Sequence, residues 1–471
     1  MSEPTDARRR PPSPDEVTAA ARASLRPGEA GWLVGGCLRD ELLGLPPGDV
    51  DIVLDGDAAR FSRELADRLG GPVFASSDAF GTWRILAGGA HVDVARLRAS
   101  TLEADLRARD FTVDALARPL DGGDIVDPLR GQDDLVARRL RLCSPAAFEA
   151  DPLRVLRLAR LARTYDLVPD AAATQAVVRA APLLTQVSGE RVRDELSAIL
   201  AGRGAAVAFR DLAVWGALAV VLPEVDGLRG VEQNPYHHLD VFEHTLEALT
   251  YVRGVVAQLG GEAHLTSPED AGLPGVAALV PVAWAVLLHD IGKPEVKVVD
   301  EEGRIIFWRH DEAGRRMTGE IVARLHMSNR FAVYLGTLVR QHLRLGFLIR
   351  EHPLTRRALA RYRRDVSPWV FESVVVSLCD RLATRGEKTP PTSMARHYRV
   401  ARSVWTAVSK APVPQLLSGD DVMEVLGIEP GPAVGQALDA LEEEVEAGEV
   451  RSEDEARAFL LAWRAREGEE G

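Results

Sequence analysis

The chain has 471 residues, 46% of them hydrophobic and 27% charged, with a formal net charge of −13. That length predicts two to four domains, and the composition is that of a globular protein rather than a disordered or fibrous one. The acidic total argues against a surface coated throughout with nucleic acid, because phosphate contacts need Lys and Arg. It leaves room for local basic patches such as the Arg-rich stretch 138–163. Cys37, Cys143 and Cys379 lie far apart without metal-type spacing, which fits a reduced cytoplasm and argues against a disulfide scaffold. The longest apolar stretch, residues 276–288, falls short of the roughly 20 residues of a membrane span, and no secretory leader is visible. The expected compartment is the cytoplasm.

Residues 1–25 read as a disordered leader. From 26 to 145 the pattern is α/β. Trp32-Leu33-Val34 reads as a short strand, followed by Gly35-Gly36 and a helix from Cys37 to Leu43 that Gly44 stops. Residues 50–54 read as a second strand, and 58–69 as an amphipathic helix ended by Gly70-Gly71. Residues 83–86 and 91–95 form a hairpin around Gly88-Gly89. After Ser144 helical periodicity dominates. Residues 146–235 form one helical region, 236–400 carry most of the histidines, and 401–471 read as further helices ending in an acidic tail. The expected class is α+β, a small α/β head followed by a long all-α body.

Asp49-Val50-Asp51 opens a strand, where residues i and i+2 share a face. Both carboxylates therefore reach one site and suit Mg²⁺ ions bridging a nucleoside triphosphate and an attacking hydroxyl. Gly35-Gly36 stands just before a helix, where backbone N–H groups can approach a triphosphate. Alone, an Asp-x-Asp is more often a solvated strand end, and Gly-Gly is an ordinary turn. Their succession as strand, Gly-Gly, helix, loop and Asp-x-Asp strand is far more specific.

Those motifs continue in Arg109-Asp110-Phe111-Thr112-Val113-Asp114-Ala115-Leu116-Ala117, in Asp127-Pro128-Leu129 with Gly131, in Asp134-Leu135, in Leu140-Arg141, and in Asp151-Pro152-Leu153-Arg154-Val155-Leu156-Arg157. Together they resemble the head signature of class II tRNA nucleotidyltransferases and bacterial poly(A) polymerases. The resemblance implies that Asp49 and Asp51 hold Mg²⁺. Asp93, on the second hairpin strand, is a candidate third carboxylate. Gly35, Gly36, Arg39, Arg109 and Asp110 are expected at the triphosphate and ribose. The resemblance further implies that residues 146–235 recognise the nucleotide, with Asp151 and Arg154 as a protein template for the Watson–Crick edge of the incoming base. Arg157 supports that pair or contacts triphosphate. Asp151-Pro152 also reads simply as a helix start, with Asp as N-cap. Two positions depart from the family pattern: Ala108 stands where a second Arg is usual, and Asp114 where Asn is usual.

A second series, His244, His289-Asp290, His310, His342 and Asp380, with Leu288 to Lys293 around its centre, resembles the HD superfamily of metal-dependent phosphohydrolases. Imidazole and carboxylate suit a divalent transition metal or Mg²⁺, and His310 and His342 would make the site binuclear. His237 and His238 read as structural residues or substrate contacts.

The expected function is template-independent extension of tRNA 3′ ends with CMP from CTP, beside an HD phosphohydrolase activity. Full CCA addition with ATP and poly(A) polymerisation are alternatives. A metal-dependent phosphodiesterase with a nucleotide-binding head is the alternative of another class. CC addition is favoured because only residues 96–108 join the Asp93 strand to Arg109, with a short helix at 101–107. The resemblance implies that a longer, mobile loop there remodels the pocket from C to A.

Overall fold

The computed structural model describes residues 11–46, 48–77, 81–349, 354–408 and 415–467. Contacts divide the chain into two units, 1–187 with 215–217, and 188–214 with 218–471.

The first unit begins with helix α1 (Pro14–Ser24). These residues, expected in a disordered leader, are ordered for a local reason. Ser13 and Glu16 form a reciprocal capping box, Pro14 opens the first turn, and Asp15 and Glu16 face the positive end of the helix dipole. Val17 and Ala21 are then buried. Residues 1–10 of that expected leader lie outside the described residues.

The sheet comprises β1 (Ala30–Val34), β2 (Val50–Asp55), β3 (Val73–Ser77), β4 (Thr82–Ala87), β5 (Ala90–Arg96) and β6 (Ala117–Pro119), in the order β3-β4-β5-β2-β1-β6. Helices α2 (Gly36–Leu42) and α3 (Ala58–Leu69) follow β1 and β2. Gly70, at φ 71°, ends α3 in the left-handed conformation that glycine favours. The hairpin β4–β5 turns at Gly88-Gly89. β5 then lies parallel to β2, with Asp93 in register with Asp51, while β1 pairs with β2 antiparallel.

Beyond the sheet come α4 (Leu102–Arg107), α5 (Gly131–Val136), α6 (Ala147–Ala150) and α7 (Arg154–Thr164). Asp151 does not start a helix as its sequence context suggests. It ends α6, with its N–H 3.3 Å from the Ala147 carbonyl, and α7 begins at Arg154. Pro152 keeps Asp151 out of helical geometry, with φ −151° and ψ 100°, and the Asp151 carboxylate accepts from the Leu153 N–H at 3.2 Å.

α5 clamps the 109–117 segment. Asp134 is fully buried and accepts from Thr112 Oγ1 at 2.6 Å, from Arg139 Nε at 2.6 Å and from Arg141 Nη2 at 2.8 Å. Gly131 lets α5 approach so closely that a Cβ there would sit 2.1 Å from the Thr112 carbonyl oxygen.

The second unit is helical. Its centre is the helix Val280–Leu288, buried at every residue, against Val241–Gln258, Asn329–Gln341 and Val370–Ala383. Gly419–Leu426, Pro432–Ala447 and Glu453–Glu467 build a separate small core around Leu417, Val422, Leu426, Leu441 and Leu460. Among the described residues no helix is long and apolar enough to cross a membrane.

Asp134→Ala strands two arginines and a buried hydroxyl, and it should destabilise the protein by about 3 kcal/mol. Urea denaturation compared with wild type measures this. Loss of less than about 1 kcal/mol contradicts the clamp.

Candidate active sites

The first site lies on the sheet of the first unit. Parallel pairing of β2 with β5 sets Asp51 and Asp93 side by side on one face. Asp49 precedes β2 by one residue, with a side chain 60% exposed. Arg84 on β4 faces Asp93 across the hairpin and forks onto both its oxygens, Nε to Oδ1 at 2.8 Å and Nη2 to Oδ2 at 2.7 Å. Sequence reasoning missed Arg84, yet the signal was present. A two-residue turn at Gly88-Gly89 pairs Ala87 with Ala90, and counting outward pairs Arg84 with Asp93.

Burial pushes the Asp51 carboxyl up to about 6 against the pull of Arg109, and the charges of Asp93, Asp49 and Asp114 push the same way. Gly35 makes room for this cluster. Its φ is 76°, and a Cβ would sit 3.1 Å from Arg109 Nη1 and 3.5 Å from Asp51 Oδ2. Arg109 Nε is buried with no hydrogen-bond partner. A guanidinium with a spare donor beside clustered carboxylates suits a metal-bound triphosphate, so the residues present fit Mg²⁺ with a nucleotide.

Arg39, expected among the nucleotide contacts, is 6% exposed and makes four hydrogen bonds to neighbouring side chains. Nε and Nη2 donate to Asp40 Oδ1 at 3.0 and 2.9 Å, Nη1 to Asp114 at 2.5 Å, and Nη2 also meets the Tyr165 hydroxyl. The guanidinium carbon lies 3.8 Å from the Tyr165 ring centroid. These bonds tie Arg39 into its surroundings. It also accounts for the acid at 114: burial raises that carboxyl, and Arg39 supplies the countercharge.

Asp110 accepts from Arg157 Nη1 at 2.7 Å and from the Phe111 N–H at 3.0 Å. Burial opposes its ionisation, but Arg157 and Arg154 hold it below the usual carboxylate range. Arg154 donates to the Ala147 carbonyl at 3.2 Å and the Ala108 carbonyl at 3.1 Å, so two backbone oxygens fix its guanidinium. Gly36 adjoins Arg39, where a Cβ would sit 3.2 Å from Nη2.

The second site lies in the helical unit. His244 comes from the helix Val241–Gln258 and Asp380 from Val370–Ala383. His289 and Asp290 close the buried helix Val280–Leu288, His310 opens His310–Arg324, and His342 caps Asn329–Gln341. In each of the four imidazoles Nδ1 faces a carbonyl: Ala383 for His244 at 3.3 Å, Val286 for His289 at 2.7 Å, Phe307 for His310 at 2.8 Å and Val339 for His342 at 2.7 Å. That bond fixes the tautomer and leaves a lone pair on Nε2.

The Nε2 atoms converge on Asp290 and Asp380. His289 lies 3.1 Å and His244 3.6 Å from Asp290 Oδ2, and His244 lies 3.1 Å from Asp380 Oδ1. On the other side, His310 and His342 lie 3.4 and 3.7 Å from Asp290 Oδ1. Asp290 thus offers one oxygen to each of two imidazole sets. Nε2 of His244 and of His289 are buried with no hydrogen-bond partner. Orphaned lone pairs around a shared carboxylate fit two divalent cations. Gly292 permits the approach: a Cβ there would sit 2.1 Å from the His310 carbonyl oxygen.

Burial opposes ionisation of Asp290, but His289 and Lys293 hold it well below the usual range, Lys293 Nζ lying 2.6 Å from Oδ2. Burial lowers His342 to about 3, reinforced by His310. A cavity of about 720 Å³ opens over this centre, lined also by His237, Lys293, Arg381, Arg396 and His397. Of these, sequence reasoning left out Arg381, Arg396 and His397, which follow no motif spacing. His238 points elsewhere and pairs with Glu247 at 3.2 Å.

Comparison with known proteins assigns three stretches of the chain to families. The family described as "Poly A polymerase head domain" matches residues 31–141, "Probable RNA and SrmB- binding site of polymerase A" matches 169–228, and "HD domain" matches 241–385. The chain is 38% identical to the A-adding tRNA nucleotidyltransferase of Deinococcus radiodurans, over 97% of its own length and 98% of that protein's. It belongs to the tRNA nucleotidyltransferase and poly(A) polymerase family, with a fused HD domain. The CC-adding tRNA nucleotidyltransferase of Thermus thermophilus is 36% identical over 92% of this chain and 93% of its own. The crystal structure of the Bacillus stearothermophilus CCA-adding enzyme in complex with CTP shares the fold. Its TM-score is 0.65 at 24% identity, over 97% of this chain and 99% of that one.

The raised Asp51 group has a consequence with a definite sign. Its folded value of about 6 lies above the ordinary 3.8, so the stability it contributes is present at low pH and is lost as pH rises through 6. With divalent metal chelated, Asp51→Asn should be more stable than wild type at pH 7.5 by about 1–2 kcal/mol after allowing for solvent screening. The gain should shrink towards pH 5, and nucleotide addition should be lost throughout. Melting curves at the two pH values measure it. An equal or larger gain at pH 5 contradicts the assignment.

Proposed function

We propose that this chain is a cytoplasmic nucleotidyltransferase that extends tRNA 3′ ends with a single kind of base, CMP from CTP in the first reading. Asp49, Asp51 and Asp93 would hold Mg²⁺, which when bound neutralises triphosphate charge and orients the attacking 3′ hydroxyl. Arg109 lies beside Asp51 with a spare donor for phosphate. Asp110, kept ionised by Arg157, is placed to accept from a ribose hydroxyl.

The observation that carries single-base specificity is the anchoring of Arg154. One of its two backbone partners, Ala108, caps α4 and ends the short connection from β5. That connection is packed along its length. Leu97 N–H donates to the Leu54 carbonyl at 2.9 Å, Arg98 N–H to Asp105 at 3.0 Å, and Thr101 caps α4. Leu102 and Leu106 are buried against Val34, Val53, Ala115 and Ala117. An arginine held by so short and packed a segment has little freedom to switch between C and A. A second reading, addition of the terminal A, is favoured by the identity to the A-adding relative.

The assay offers tRNA ending at its discriminator base, and tRNA ending in CC, both CTP and ATP, with products resolved to one nucleotide. Addition of two residues from CTP and refusal of ATP supports the first reading. Extension of only the CC-ended tRNA, by ATP, supports the second. Efficient synthesis of complete CCA overturns the single-base pocket. Arg154→Ala should reduce discrimination against the wrong triphosphates by about 1–3 kcal/mol, the scale of one bidentate base contact. Ratios of kcat/KM measure this.

The HD centre is proposed as a metal-dependent phosphohydrolase with a divalent transition metal or Mg²⁺ on His244, His289, Asp290, His310, His342 and Asp380. His289→Ala should strip bound transition metal and abolish hydrolysis of nucleoside 2′,3′-cyclic phosphates or phosphomonoesters, with nucleotide addition intact. Metal analysis and the two activity assays decide it, and metal retained in full contradicts the ligand set.

A further inference from the structure

We propose that His237 is a metal ligand of the HD centre, completing a cation position with His244 and Asp380. The inference rests on the reading of that centre as a metal site. The ligand atoms of His237, His244 and Asp380 lie within 4.8 Å of one another, and the His237 and His244 rings meet edge-on with centroids 4.9 Å apart. His237 Nδ1 lies 3.2 Å from the Asn234 side-chain oxygen. A proton on Nδ1 satisfies that oxygen and leaves the Nε2 lone pair for a metal, the tautomer that carbonyls impose on the four neighbouring imidazoles.

The backbone around His237 is built to hold it there. The Gly386 N–H donates to the Tyr236 carbonyl at 2.7 Å, the Lys388 N–H to the Pro235 carbonyl at 3.1 Å, and Thr389 Oγ1 to the Tyr236 carbonyl at 2.8 Å. Gly386 allows this contact, since a Cβ would sit 2.4 Å from the Pro235 carbonyl oxygen. Residues 386–389 follow directly on the helix that carries Asp380. One segment therefore supplies the carboxylate and pins the loop that supplies the imidazole. His238, the next residue, has no such setting and pairs with Glu247.

An added imidazole favours a borderline metal such as Ni²⁺ or Zn²⁺ over Mg²⁺. The full-length protein and its His237→Ala, His237→Gln and His289→Ala variants are loaded with Ni²⁺. Affinity is measured by competition with a chelating dye, and coordination by X-ray absorption, with tRNA nucleotide addition as the check on folding. Ni²⁺ affinity should fall at least tenfold in both His237 variants, with fewer imidazoles per metal and nucleotide addition unchanged. Unaltered affinity and spectrum in the His237 variants, with a raised KM for cyclic phosphate, makes His237 a substrate contact and overturns the proposal. If His289→Ala also binds Ni²⁺ like wild type, the HD metal reading itself fails. If His289→Ala alone loses metal, only the role of His237 fails.

Discussion

Two carboxylates held side by side on neighbouring strands repel one another, and the candidate site of the head is organised around that repulsion. The parallel register of β2 and β5 leaves Asp51 and Asp93 no freedom to separate, and like charges directly across a sheet destabilise it. The surroundings supply the countercharge. Arg84 forks onto Asp93 from the adjacent strand, and Arg109 draws against the rise of Asp51. Gly35 gives up a side chain so that Arg109 and Asp51 can share the space. The donor set this face presents follows from its strand order.

The HD centre solves the related problem of burying charge among helices. Asp290 is taken out of water, which is costly unless its lone pairs are satisfied. Lys293 supplies charge and a hydrogen bond on one side. The imidazoles on the other side stay neutral, because burial lowers both His310 and His342. Three of the four tautomers are set by a carbonyl three residues earlier, at a helix end. Local backbone geometry thus aims side chains that lie far apart in sequence.

Much of this was legible in the sequence because it is written locally. The strands, α3 and its Gly70 cap, the β4–β5 hairpin and the placement of Asp93 beside Asp51 follow from period and turn chemistry. The order of His244, His289-Asp290, His310, His342 and Asp380 foreshadows the cluster in which the structure gathers them. What escaped depends on partners remote in sequence. Arg39 bonds to Asp114 and Tyr165, 75 and 126 residues away, which no local pattern foretells. The loop before His237 is pinned by residues 386–389, again remote in sequence. α1 was misjudged for the opposite reason. Its capping box is local and readable, but a polar, proline-bearing start outweighed it. The acidic helix Pro432–Ala447 is a further case. Glu443, Glu444 and Glu446 are not a solvated tail but partners of Arg357, Arg361, Arg363 and Arg364 on the helix Arg356–Val366. Part of the net charge of −13 is therefore already engaged within the molecule.

The two centres also differ in what will fill them. The head offers only carboxylate oxygens to a cation, the hard donor set that suits Mg²⁺, with triphosphate oxygens completing it. The HD centre offers imidazole nitrogens in the majority, a set that ranks metals by the Irving–Williams order and favours Ni²⁺ or Zn²⁺ over Mg²⁺. The two centres therefore differ in the donor atoms they present, carboxylate oxygens in the head and imidazole nitrogens with carboxylates in the HD domain.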